Sequence, residues 1–197
     1  MDDVDETGWG APGHLWVMRH IRIDVERPPV DDDHMELSTW CSGTASVAAG
    51  RRLSLVGDRG GRVEVDSVWI HLGPDARPAR LVGFDVYEQA ADSRVVSTKL
   101  ELVAPSGGAQ RRPWPLRRTD IDLHGHVNNA AYWHAVEDVL SEQGLDAGRP
   151  FRARLEHRHA LDLPDEVELV IELRDGRLAV GFEVGKVARA LAFVERV

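Results

Sequence analysis

The sequence predicts an α+β protein in which two runs of antiparallel strands are separated by one long helix. Apolar and polar residues alternate along Leu15 to Glu26 and again along Arg152 to Arg158, the period-two pattern of strands with one buried face. Between the runs, apolar Tyr132, Ala135, Val136, Val139 and Leu140 recur at i, i+3, i+4, i+7 and i+8, which is one face of an amphipathic helix. The two strand runs also match each other, so the chain reads as a duplicated unit.

Residues Met1 to Pro12 are acidic, lack a usable period and read as a tail. In the first strand, Leu15 to Glu26, Ile21, Ile23 and Val25 oppose Arg22, Asp24 and Glu26. Arg27-Pro28-Pro29 ends it, because proline cannot donate to a ladder. Met35 to Trp40 and Ala48 to Leu55 follow as strands joined across Ser42-Gly43-Thr44, and Asp58-Arg59-Gly60-Gly61 is a hairpin signal leading into Val63 to Leu72. Together these form a four-strand antiparallel meander. Asp85 to Ala90 is a helix candidate, Lys99 to Val103 a short strand, and Ala104 to Gln110 a small-residue linker. A strand at Trp114 to Thr119 comes next, then a helix from Asn129 to Gln143. The second meander comprises Arg152 to Arg158, Val167 to Arg174, Leu178 to Val184 and Val187 to Val194, with Asp175-Gly176 as a hairpin turn.

Offsets between the runs support duplication. The strand through Arg22 to Glu26 matches Ala153 to His157, and Asp33-x-Met35-Glu36-Leu37 matches Asp165-x-Val167-Glu168-Leu169 at nearly the same shift. Gly61-Arg62-Val63 matches Gly185-Lys186-Val187 after a loss of residues in the hairpin region. The chain divides on this basis into 1–105, an incomplete first unit without its helix, and 106–197, a second unit carrying the helix. The first sheet needs an apolar cover. Either the natural reading frame begins upstream, or the second-half helix and a partner subunit supply that cover. Self-association and hydrophobic-dye binding are therefore expected of the chain as written.

Chemistry-bearing residues crowd before the helix, in Asp120-Ile-Asp122-Leu-His124-Gly125-His126-Val127-Asn128-Asn129. Asn128 is suited to cap the helix by accepting from a free backbone N–H, and Gly144 to stop it in the left-handed region. Acid, imidazoles and backbone donors thus meet at the positive end of a helix about 15 residues and ~22 Å long.

The formal charge of −9 disfavours nucleic acid, which wants a basic face. No run of about 18 apolar residues exists to span a membrane. The acidic N-terminus is unlike a signal peptide, and the single Cys41 excludes an internal disulfide, so a reducing cytoplasm is expected. Arg111, Arg112, Arg117 and Arg118 precede the motif, and Arg152, Arg154 and Arg158 follow the helix. They are either an ordinary solvated strand face or a landing site for phosphates or an acidic carrier.

Strand, polar turn, long helix and enclosing meander is the order of a hot-dog fold. Asp122-x-His124-x-His126-Val127-Asn128-Asn129-x-x-Tyr132 resembles the Asp-x-Asn-x-His-Val-Asn-Asn-x-x-Tyr signature of the acyl-acyl carrier protein thioesterases, which carry two hot-dog units in tandem. Trp16-Val17 with Ile21-x-Ile23-x-Val25-x-Arg27, Thr39-Trp40 and Ser67-Val68-Trp69 are similar to first-unit strands of that family, and Leu155-Glu156-His157-Arg158 to its Leu-Glu-Tyr-Arg. Single-unit acyl-CoA thioesterases carry a related motif. The resemblance spans Leu15 to Val197. It implies hydrolysis of a fatty acyl thioester of acyl carrier protein or coenzyme A, a place in fatty acid biosynthesis, and a homo-oligomer without cofactor.

Carried over by position, the resemblance assigns the catalytic carboxylate to Asp122 and the catalytic histidine to His126. The family's asparagine is His124 here, and its later glutamate and cysteine fall on Ala160 and Leu161. Without that glutamate, Asp122 and His124 must suffice for catalysis beside His126, or activity has given way to acyl binding without turnover. For thioester chemistry Asp122 is the base or nucleophile, with a turn or cap aspartate as its plain alternative. His126 steers water or donates to the carbonyl, or is merely a packed imidazole. The N–H groups of Val127, Asn128 and Asn129 are oxyanion donors. Tyr132, Arg117 and Arg154 complete the substrate-binding candidates. His124-x-His126 and His157-x-His159 raise a metal, but no zinc ligand spacing accompanies them. Nothing in the sequence ties Cys41 to a thiolate site.

Overall fold

The first alternating run folds as β1 (Leu15–Arg27), β2 (Met35–Ala45), β3 (Ala48–Gly57) and β4 (Arg62–Leu72). A short β5 (Gln110–Pro113) and the helix α1 (Asn129–Glu142) precede the second run, β6 (Phe151–His157), β7 (Val167–Arg174), β8 (Arg177–Val184) and β9 (Val187–Arg196). The computed structural model describes residues 13–82, 92, 94–145 and 148–197. In it all nine strands join one antiparallel sheet in the order β2-β3-β4-β1-β6-β9-β8-β7-β5. This is an α+β hot-dog fold. Among the described residues the first half has no helix, and the helix candidate at Asp85 to Ala90 lies outside them.

Neither half is the simple meander expected from the sequence. In each, the last three strands are consecutive neighbours and the first strand returns beside the last, β1 on β4 and β6 on β9. The two sets therefore have the same order outward from the antiparallel β1–β6 contact, where Arg22 faces Arg154 and Ile23 faces Ala153. β1 takes this central place because it pairs on both edges, and its Ile21 and Ile23 pack onto the second-half core.

Three local expectations are corrected. β2 runs through Ser42-Gly43-Thr44 to Ala45, and the chain turns at 46–47. Gly43 serves close packing instead of turning, since a Cβ there would lie 2.4 Å from the Arg94 carbonyl oxygen. Residues 99–103 form no ladder because the N–H groups of Glu101 and Leu102 donate to the buried Glu156 carboxylate, at 2.7 and 3.1 Å. The expected strand at Trp114 to Thr119 lies earlier, as β5. Its ladder on β7 stops at Pro113, Pro115 offers no N–H, and Arg118–Asp120 closes into a 3₁₀ turn.

α1 buries Ala131, Tyr132, Ala135, Val136 and Val139 against Ala153, Leu155, Leu169, Leu178, Val180 and Phe182. Cross-strand rows show which face this is. Thr39, Leu53, Val65, Ile23, Ala153 and Val194 stand in one continuous row, so the helix covers one end of a face that continues across the first half. There Leu53, Leu55, Val63 and Val65 are half-buried and Leu37 is exposed. No helix of the described residues is long and apolar enough to cross a membrane.

Candidate active site

The motif is a tight loop pinned at both ends. Asp122 N–H donates to the His126 carbonyl at 2.8 Å, and Gly125 N–H returns to Asp122 O at 3.2 Å. Gly125 has φ +85°, a conformation in which a side chain would be strained although space is open. Ile121 bridges Val127, and Asn128 N–H reaches Asp120 O at 2.7 Å. The helix then starts as its sequence dictates. Asn128 Oδ1 accepts from Ala130 N–H at 2.9 Å, and Gly144 takes φ +64° past the last turn.

The two aspartates separate by environment. Asp120 is 4% exposed, accepts from Arg117 N–H at 2.7 Å and is gripped by its guanidinium at 2.8 Å. That hydrogen-bonded guanidinium holds the Asp120 carboxyl below the usual carboxylate range. Asp120 is thus spent on the turn. Asp122 is half-buried, and its Oδ1 accepts from the N–H groups of His124, at 2.8 Å, and His126, at 3.2 Å. Among the described residues nothing engages its Oδ2.

His126 Nδ1 lies 2.6 Å from Asp162 Oδ1, with both side chains about half exposed, at 52% and 51%. His124 is exposed. Val127 is buried and its N–H donates to Leu161 O at 2.8 Å. With the Asn128 N–H also engaged, the N–H of Asn129 is the unspent one of the three nominated donors among the described residues. Tyr132 is 2% exposed, ringed edge-on by Phe182 at 5.0 Å and His157 at 4.9 Å. Burial foremost, then the carboxylates of Asp162, Asp165 and Asp122, raise its phenol well above the ordinary value, so it stays neutral. Burial and Arg19 push His157 down to about 4, so this imidazole is neutral as well.

Not every nominated residue gathers here. Arg117 holds Asp120 while its guanidinium stays largely exposed. Arg154 alternates with core-facing Ala153 and Leu155, so it lies on the opposite face of the sheet, 3.3 Å from Glu101. Among the described residues no three His, Cys, Asp or Glu side chains group to hold a metal ion. Asp162 is the participant that sequence reasoning missed. Its signal was faint: a carboxylate two residues beyond Ala160, in the turn Leu161-Asp162-Leu163-Pro164-Asp165.

One α-helix among the described residues, packed on an antiparallel sheet with a carboxylate and a histidine at the helix start, defines a protein of the hot-dog class. Comparison narrows the class. The profile for the acyl-ACP thioesterase N-terminal domain matches residues 10–90 and that for the C-terminal domain matches residues 104–188. The chain belongs to the acyl-ACP thioesterase family, whose common activity is hydrolysis of fatty acyl thioesters. An uncharacterised protein of Mycobacterium tuberculosis is 31% identical over 92% of this chain and 73% of its own length. The oleoyl-acyl carrier protein thioesterase 1 of Arabidopsis thaliana is 23% identical over 78% of this chain, which spans 47% of that plant protein. An acyl-ACP thioesterase from Bacteroides thetaiotaomicron superposes with a TM-score of 0.80 at 16% identity, covering 98% of this chain and 82% of that one. The 12:0-ACP thioesterase of Umbellularia californica gives 0.79 at 17% identity, over 98% and 83%. At such identities these two establish the fold.

Proposed function

We propose that this chain hydrolyses a fatty acyl thioester of acyl carrier protein or coenzyme A, releasing a free fatty acid and a thiol. The observation that carries the reading is one pinned loop holding Asp122 and His126 at the positive end of α1, with Asp122 Oδ2 unengaged among the described residues. In this mechanism a water gives its proton to Asp122 as its oxygen attacks the thioester carbonyl carbon. A C–O bond forms, and the charge growing on the carbonyl oxygen meets the Asn129 N–H at the helix start. The C–S bond then breaks, and the proton passes from Asp122 to the departing thiolate. His126 holds the water, Asn128 and Val127 hold the loop, and Tyr132 anchors the first helical turn. A positioned base of this kind supplies roughly 10² to 10⁴ in rate.

Ala160, where the resemblance places a glutamate, favours a second reading in which the fold binds acyl groups without turning them over. Assays of acyl-ACP and acyl-CoA thioesters across chain lengths, with wild type and Asp122→Asn, decide between them. Hydrolysis lost in the variant supports the enzyme, and binding without hydrolysis in wild type supports the binder. We further place the protein in the cytoplasm, in fatty acid biosynthesis, as a homo-oligomer, with two units meeting after residue 105. Support comes from the lone cysteine, the half-buried apolar residues of the first-half sheet and the matching strand order of the two halves. His124 enters as a further catalytic candidate beside Asp122, and Arg117 and Arg154 as candidate contacts to substrate or carrier.

A further inference from the structure

The position at which the resemblance expects a glutamate is alanine, yet the site is not short of a carboxylate. Asp162 arrives from the next turn and meets His126 Nδ1 at 2.6 Å. Exposed ion pairs gain little from Coulomb attraction in water, so the backbone has to set this contact. It does so twice. His126 and Asp162 form an isolated antiparallel bridge, held by the Val127 N–H that donates to Leu161 O at 2.8 Å. Asp162 is also locked in its own turn, its N–H on Asp165 Oδ2 and the Asp165 N–H on Asp162 O, both at 2.9 Å. Leu161, 0% exposed, anchors that turn in the core beneath α1.

A carboxylate only accepts hydrogen bonds, so the hydrogen of the neutral imidazole resides on Nδ1 and the lone pair on Nε2. An imidazole in that state cannot donate to a thioester carbonyl. It can accept from water. Of the two roles open to His126, the pairing selects the second and leaves the carbonyl to the helix N–H.

We infer that Asp162 is the positioning residue of this site, fixing the His126 ring so that Nε2 accepts from the attacking water, and doing so from two residues beyond the alanine that replaces the family's glutamate. The inference rests on the thioesterase reading above. It leaves the bond changes of hydrolysis as written, with Asp162 neither gaining nor losing a proton.

Long-range ¹H–¹⁵N spectra of the His126 ring and steady-state kinetics on oleoyl-CoA and oleoyl-ACP test it together, on wild type, Asp162→Ala and Asp162→Asn. Wild type should show the Nδ1–H tautomer, and Asp162→Ala should revert to the commoner Nε2–H form. Its kcat should fall roughly 10- to 100-fold with KM within about threefold, since a misplaced tautomer costs turnover more than binding. Asparagine, near-isosteric but able to turn its NH2 donor toward Nδ1 and so hold the Nε2–H form, should lose the tautomer and the rate much as alanine does. If Asp162→Ala does not fold, Asp162→Ser, too short to reach the ring, gives the same comparison. An unchanged tautomer in either short variant, or a kcat within about threefold of wild type, overturns the inference. A wild type that hydrolyses neither probe while its tautomer still responds to Asp162 overturns the thioesterase reading and the catalytic role, and leaves only the pairing.

Discussion

The clasp between Glu156 and residues 101–102 ties the segment joining the two halves to the back of the sheet, and its removal should be costly. Glu156 is 1% exposed and accepts from Glu101 N–H at 2.7 Å and Leu102 N–H at 3.1 Å. Glu156→Ala strands both donors, and each unsatisfied buried donor costs about 1–3 kcal/mol. Arg154 and Arg158 lie 3.9 and 3.6 Å from the same carboxylate. Both keep other partners, Glu101 for Arg154 and the Leu102 carbonyl for Arg158, so they add little. The sum is about 2–6 kcal/mol, or roughly a 5–20 °C fall in Tm for a chain of this size. Glu156→Gln retains an acceptor oxygen and should lose about half as much. Thermal unfolding gives the magnitude, and amide hydrogen exchange at Glu101 and Leu102 gives the cause. Equal losses below about 1 kcal/mol in both variants, with both amides still protected, would refute the reasoning.

Asn128→Ala removes the acceptor for Ala130 N–H and should cost about 1 kcal/mol by denaturant unfolding, with Asn128→Asp close to wild type. No difference between the two would count against the cap. His157 carries a pH dependence. Its folded imidazole protonates near 4 against about 6.5 for a solvated histidine, so between these limits the unfolded chain binds the extra proton. Stability contributed by the neutral ring is present above about pH 6.5 and falls by up to about 3 kcal/mol as pH drops toward 4. Relative to wild type, His157→Phe should flatten that slope in unfolding curves between pH 7 and 4, and parallel curves would contradict the burial argument.

Local chemistry was legible in the sequence and distant partnership was not. The second-half strands fall within a residue or two of the alternation. Asp175-Gly176 makes its turn because both residues take left-handed φ, at 51° and 75°, and Asn128 caps as its type suggests. Residues 99–103 alternate like a strand, but the acceptor for their donors is a buried glutamate some fifty positions away, which no local pattern reveals. The placing of β1 beside β4 and β6 is likewise long-range. At the site, Asp122 and His126 could be read from the motif. Asp162 could not, because its partner lies on another loop and backbone bridging alone brings them together. The side of the sheet occupied by Arg154 follows from strand parity with Leu155, a signal present in the sequence once the buried face is assigned.

Central to the account is that Asp122 takes the proton of the attacking water. Turnover of oleoyl-ACP and dodecanoyl-ACP by wild type and Asp122→Asn, measured at matched folded fraction, tests this most directly. The amide keeps Oδ1 as an acceptor for the His124 and His126 N–H groups, so the loop should survive while kcat falls by roughly 10² or more. Variant turnover within about threefold of a hydrolytically active wild type would contradict the assignment.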